Sequence, residues 1–115
     1  MLNRQQRITS DKDFQTIYRR GRHLSSAFFN LNYLSNNLDH ARIGVVVNKR
    51  VAKKATERNL LKRQLREILR NNYSQIQSGL DLVLSTKGPS VKLAFDKLKE
   101  ELMILLEKAK LTKNA

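Results

Sequence analysis

The chain has 115 residues, a hydrophobic fraction of 40%, no cysteine, a formal net charge of +13 and a pI near 10.5. This length suits one compact domain with one core, and the ordinary apolar content excludes wholesale disorder. The absence of cysteine excludes disulfides and thiolate metal sites. A positive charge this large on a small domain attracts polyanions, nucleic acid ahead of anionic membrane.

No stretch reaches the roughly 20 apolar residues that cross a bilayer. The opening MLNRQQRITSDKDFQ has no signal-like apolar run, so a cytoplasmic protein with no membrane partner is expected. The segment TSDKDFQTIYRRG then predicts a short helix. Thr9 or Ser10 caps it, Asp11 and Asp13 fall in the first turn, Arg19 and Arg20 in the last, and Gly21 closes it. Phe14, Ile17 and Tyr18 share one face. Ala27–Leu34 alternates as a strand does, with Phe29, Leu31 and Tyr33 on one side and Phe28, Asn30 and Asn32 on the other. After a turn-rich SNNLDHA comes a more continuously apolar strand, Arg42–Asn48; the short connection predicts antiparallel pairing of the two.

A helix follows, capped by Thr56 and running to about Asn72, then the loop NNYSQIQSG and a third strand, Leu80–Thr86. Ser90 is expected to cap a long helix, because Val91, Ala94, Phe95, Leu98, Leu102, Leu105, Leu106 and Ala109 recur at helical spacing. Residues 1–8 and 110–115 are expected to be loosely held. The reading is a single α+β domain in the order α-β-β-α-β-α, a small mixed sheet packed with helices.

Nine of the 23 basic residues lie between Lys49 and Arg70. On a helical wheel at roughly 100° per residue, Leu61, Leu65, Ile68 and Leu69 form one stripe. Asn59, Lys62, Arg63, Arg66 and Arg70 form an arc well away from it. A solvated helix face would intersperse acids as i, i+4 partners, but Arg58, Lys62, Arg66 and Arg70 make a like-charge ladder, tolerable where a polyanion relieves it. No second short helix or heptad zipper accompanies this helix, as DNA readers require. Aromatics on strands and on a neighbouring helix fit stacking on unpaired RNA bases better.

The segment KRVAKKATERNLLKRQLREILR resembles the protein subunits of bacterial ribonuclease P. Those proteins carry a helix of the form Arg-Asn-Arg-x-x-Lys-Arg behind a strand that ends near Lys-Lys. RIGVVVNKRVAKK, the upstream DFQTIYRRG and the downstream LDLVLSTKG complete the ordered pattern over nearly the whole chain. Leu60 departs from it, standing where an Arg is usual, and Lys62 and Arg63 follow Asn59 by three and four residues, a spacing that also differs from that form; the wheel sets Leu60 beside Glu67 on the flank away from the cationic arc.

The resemblance implies that Arg58, Asn59, Lys62, Arg63 and Arg66, with Lys49, Arg50, Lys53 and Lys54 before them, face a catalytic RNA subunit. It implies that Phe14, Tyr18, Phe28, Asn30 and Asn32 line a cleft for the single-stranded 5′ leader of precursor tRNA. It further implies a left-handed βαβ crossover around the basic helix, against the usual right hand. Hydrolysis would rest on the RNA subunit and its Mg²⁺, with no catalytic or metal-binding residue on this chain and no obligate protein partner. Two other readings are a ribosomal-type structural RNA-binding protein and a self-sufficient nuclease. The latter would need an acid–base pair, and His23 and His40 have no patterned partner.

Overall fold

The computed structural model describes residues 2–113. Its elements are α1 (Asp11–Arg20), β1 (Arg22–Ser25), β2 (Phe29–Ser35), β3 (Arg42–Val46), α2 (Ala55–Asn71), β4 (Leu80–Thr86) and α3 (Phe95–Lys108), with short 3₁₀ turns at Arg4–Gln6, Tyr73–Gln75 and Gly88–Lys92. This is the expected α+β order with one short strand, β1, added between α1 and the first expected strand.

The four strands form one mixed sheet in the order β1-β2-β4-β3. β1 and β4 each pair antiparallel with β2, and β3 pairs parallel with β4 through the α2 crossover. β2 and β3 therefore run in opposite directions, as the short connection predicts, but they are not neighbours. The connection steps over one strand position, a gap of roughly 10 Å, and β4 fills it. That connection is fastened to the start of β4: Asn36 N–H donates to the Gly79 carbonyl and Asn36 Nδ2 to Asp81 Oδ1, both at 2.9 Å. β4 suits the inner position because it is apolar toward both faces, Leu82 and Leu84 to one and Val83 to the other.

The main core lies between one sheet face and the two long helices. Phe29, Leu31, Ile43, Val45, Leu82 and Leu84 meet Leu61, Leu65, Ile68 and Leu69 of α2 and Leu98, Leu102, Leu105 and Leu106 of α3. Each such side chain contributes roughly 1.5–3 kcal/mol on burial. A smaller cluster on the opposite face joins Ile8, Ile17 and Val83, with Phe14, Leu34 and Val46 against it.

Several boundaries differ from the sequence reading. α2 begins at Ala55 with Lys54 as its N-cap, so Thr56 lies inside the helix. α3 begins at Phe95, because Pro89 opens a 3₁₀ turn and Ala94 is extended (φ −67°, ψ 159°). Ser90 serves that turn instead, donating to the Lys87 carbonyl at 2.7 Å. Phe28 precedes β2 and packs against the main core, on the other side of the sheet from Asn30 and Asn32.

Residues 2–8 and 110–113 are docked where looseness was expected. Leu2 and Ile8 are buried, and Ile8 N–H donates to Ile43 at 3.0 Å, covering the open edge of β3. Leu111 is buried, its carbonyl accepts from Gln77 N–H at 2.9 Å, and Thr112 bridges Ile76. Residues 114 and 115 lie outside the described part.

Candidate RNA-binding surfaces

α2 buries its leucine stripe and leaves its cations outward. Leu61, Leu65, Ile68 and Leu69 are buried; Asn59, Arg63 and Arg70 are exposed; Lys62 and Arg66 are half-buried. Leu60 is 46% exposed, on the flank the wheel gave it. Among the described residues no ion pair involves Arg58, Lys62, Arg66 or Arg70. Arg63, Arg66 and Arg70 line a groove with Glu67 as its one acid.

The loop before α2 is a built turn. Asn48 Oδ1 accepts from the N–H groups of Arg50 and Val51 at 3.0 and 3.2 Å. Arg58 reaches back from the helix, its Nη1 donating to the carbonyls of Ala52 and Lys53 at 2.9 and 2.8 Å. Arg58 thus fastens the loop, while Lys49, Arg50, Lys53 and Lys54 stand exposed on it.

A second surface forms where α1 crosses the other sheet face. Ile17 is 1% exposed against Val83, and the Phe14 ring lies on Gly44, where a Cβ would come within 2.7 Å of Phe14 Cε1. Gly21 ends the helix for a similar reason: a Cβ there would meet the Ile17 and Tyr33 carbonyl oxygens at 2.5 and 2.6 Å. Asp13 pairs with Arg42 near the starts of β3 and β4. At roughly 100° per residue, Phe14 and Tyr18 then lie about 100° and 140° around the helix from Asp13. Tyr18 is 47% exposed, and its ring centroid is 6.5 Å from that of Phe14.

Toward β1 and β2 this face is polar. The pairing aligns His23, Asn32 and Val83 in one row, and Ser25, Asn30 and Ser85 in the next. Ser25 Oγ donates to Asn30 Oδ1 at 2.8 Å, and the His23 ring bridges Ser25 Oγ and Asn32 Oδ1, each at 3.3 Å. Asn30 and Asn32 thus come together, two residues apart on β2, on the sheet face that α1 crosses. Phe28 does not join them. His23 and Ser25 were missed: RHLS between Gly21 and Ser26 is too short to show a strand period.

A cavity of about 270 Å³ joins the two surfaces, with Phe14, Gly44, Arg7 and Arg66 in its wall. Arg7 Nε is buried there without a partner. Beneath α1, Arg42 Nε and Nη2 grip both oxygens of buried Asp81 at 2.8 and 2.6 Å, and Asp81 and Asp13 hold the guanidinium more firmly protonated than usual. Nothing in the sequence signalled this pair, 39 residues apart. His40 clamps the β2–β3 connection to the N-terminal turn. Its Nδ1 meets Asp39 Oδ1 and its Nε2 the Gln5 carbonyl, both at 2.9 Å. Those contacts, Asp39 first, raise the His40 pKa, and His40 lowers that of Asp39.

Fold and surfaces together define a small α+β RNA-binding protein. The family model described as Ribonuclease P matches residues 2–110. The chain is 37% identical to the ribonuclease P protein component of a Pseudanabaena species (96% of each chain) and 32% identical to that of Syntrophomonas wolfei (95% of this chain, 91% of the other). Its structure is similar to that of a Staphylococcus aureus RNase P protein (TM-score 0.86, 29% identity, 92% and 96% coverage) and of the Thermotoga maritima protein (0.82, 33%, 89% and 96%). The chain belongs to the ribonuclease P protein family. It acts as the protein component of that ribonucleoprotein enzyme, assisting RNA-subunit-mediated processing of tRNA 5′ ends. Membership implies association with the RNA subunit and with precursor tRNA.

Proposed function

We propose that the exposed cations of α2 and its preceding loop bind the RNA subunit, and that the α1 cleft binds the single-stranded leader of precursor tRNA. Arg63, Arg66, Lys62 and Asn59, with Lys49, Arg50, Lys53 and Lys54, contact phosphates of the catalytic RNA. Arg58 contributes by holding the loop in shape. Phe14 and Tyr18 stack on unpaired leader bases, and the Asn30, Asn32 and His23 side chains offer hydrogen bonds beneath them. Arg7 and Arg66 supply positive charge where the two surfaces meet. The reading places the protein in the cytoplasm.

The observation that carries this proposal is the half-exposed aromatic pair on α1 together with the hydrogen-bonded His23, Ser25, Asn30 and Asn32 side chains on the sheet face that α1 crosses. A purely structural RNA-binding protein has no need of it. Only precursor tRNA has a leader, so the cleft favours precursor over product. Among the described residues no three of His, Cys, Asp and Glu come together as a metal cage. The acids of this chain do not fit the Mg²⁺ of the reaction, which is left with the RNA subunit, and no step here runs through it.

The test is cleavage and binding by this protein mixed with a bacterial ribonuclease P RNA at low Mg²⁺. The protein should restore leader removal and raise affinity for precursor over mature tRNA. Equal affinity for RNAs with and without a 5′ extension would support the ribosomal-type reading instead.

A further inference from the structure

A second cluster of cations lies away from both surfaces. Arg20 from α1, Arg22 at the start of β1 and Lys110 after α3 surround a pocket of about 420 Å³ floored by Tyr33 and Leu80, with Ser35 at its side. Leu80 begins β4, and β4 is parallel to β3, so the pocket lies at the sheet end opposite the basic loop that follows β3. Tyr33 belongs to the sheet face that carries the main core, whereas α1 and the cleft lie on the other face. At roughly 100° per residue, Arg20 falls within about 20° of Asp13 on the wheel, and about 120° and 160° from Phe14 and Tyr18.

Three features set this pocket apart from a solvated charged face. Its cations come from three different elements, so no helix periodicity accounts for their meeting. Among the described residues no carboxylate lines it, and none of the three cations is in an ion pair. Lys110 adopts φ 60°, the left-handed region that favours glycine at a helix end. Its backbone is fixed there, with N–H donating to the Glu107 carbonyl at 3.0 Å and its own carbonyl accepting from Gln77 Nε2 at 3.1 Å. A lysine is thus carried into the pocket from a position where glycine would be easier.

The Tyr33 ring packs against the core from this side. An aromatic floor ringed by unpaired guanidinium and ammonium groups is the chemistry that takes a nucleotide, base on the ring and phosphate on the cations. We infer that this pocket is a second RNA site, which takes an unpaired nucleotide and works independently of the leader cleft. The nucleotide comes from the RNA subunit or from the body of the tRNA.

Affinity against salt distinguishes the two sources. The full chain and its Arg22→Ala/Lys110→Ala and Tyr33→Leu variants are titrated with a bacterial ribonuclease P RNA. In a separate arm, precursor and mature tRNA are titrated onto the assembled holoenzyme. Lys97→Ala/Lys99→Ala on α3 removes the same charge elsewhere. The paired cationic variant should flatten the salt slope by about two, and Tyr33→Leu should lower affinity about fivefold to a hundredfold in the same arm. Loss with the RNA subunit assigns the nucleotide there; equal loss for precursor and mature tRNA assigns it to the tRNA body. The inference is overturned if neither arm changes or if the α3 control loses as much as the paired variant. A loss confined to precursor also overturns it, because the pocket would then belong to the leader path. Arg22 and Lys110 are exposed, so the paired variant decides the matter even if Tyr33→Leu fails to fold.

Discussion

The Phe14 ring rests on the backbone of Gly44, filling the space where any other residue would place its Cβ; that atom would meet Phe14 Cε1 and Cζ at 2.7 and 2.8 Å. The glycine of RIGVVV is therefore a packing partner of the cleft aromatic rather than a weak point in a strand.

Gly44→Ala should displace the ring toward the adjoining cavity. Overpacking costs roughly 1–3 kcal/mol, and the open space beside Phe14 favours the lower end. Urea denaturation of Gly44→Ala, Phe14→Leu and the double variant forms a cycle in which the alanine should cost less once the ring is gone. Additive costs would show that ring and glycine do not meet.

Tyr18 projects from the same flank with half its surface free, so removing it leaves no cavity. Losing one base stack costs roughly 1–3 kcal/mol, about fivefold to a hundredfold in affinity. Tyr18→Ala should weaken precursor tRNA binding to the holoenzyme by this factor and leave mature tRNA unchanged. Equal weakening of both would remove Tyr18 from the leader surface.

Arg63 and Arg66 differ in setting, one exposed and one half-buried beside the cavity. Arg63→Ala and Arg66→Ala should each weaken binding to the RNA subunit and flatten the salt dependence by about one unit. The melting temperature should scarcely move for Arg63→Ala. Unchanged slopes would take the α2 face out of the RNA interface.

Leu60 tests the same face from its edge. Because it is exposed, Leu60→Arg should shift stability by no more than about 0.5 kcal/mol, the usual range for a surface site. A loss of several kcal/mol on denaturation would mean that the helix is rotated from the orientation described.

What the sequence could reveal followed the range of its signals. Helical period located the buried stripe of α2 and the exposed flank of Leu60, and alternation separated Phe29 and Leu31 from Asn30 and Asn32. These are local patterns, and α1, α2 and β4 needed nothing else. The order of strands was not local. A six-residue connection fits a hairpin as well as a step over an empty position, and only the crossover after α2 brings β4 between β2 and β3. The polar cluster on this sheet face was hidden for the same reason, since His23 and Ser25 meet Asn30 and Asn32 only when β1 pairs with β2. Phe28 was misplaced because the alternation was carried one residue beyond the strand. Arg42 and Asp81, like Arg7 and Arg66, lie far apart in the chain with no pattern to join them.

His40 joins the β2–β3 connection to the N-terminal turn through contacts that favour its protonated ring, since both nitrogens face acceptors. Its pKa in the folded protein is raised, Asp39 being the first cause and the Gln5 carbonyl the second. The folded state therefore holds this proton more tightly than the unfolded chain. The resulting stabilisation is fully present below the unfolded histidine value of about 6.5 and is lost as pH rises through the higher folded value. Asp39, lowered by the same contact, contributes above about 3.9 and loses its share as pH falls through its folded value. Thermal melts of the chain and of His40→Asn at pH 5.5 and 8.5 check this. The native chain should exceed the variant at pH 5.5, and the margin should shrink at pH 8.5. A margin that is the same at both pH values, or larger at 8.5, would show that the His40 contacts do not depend on the ring's second proton.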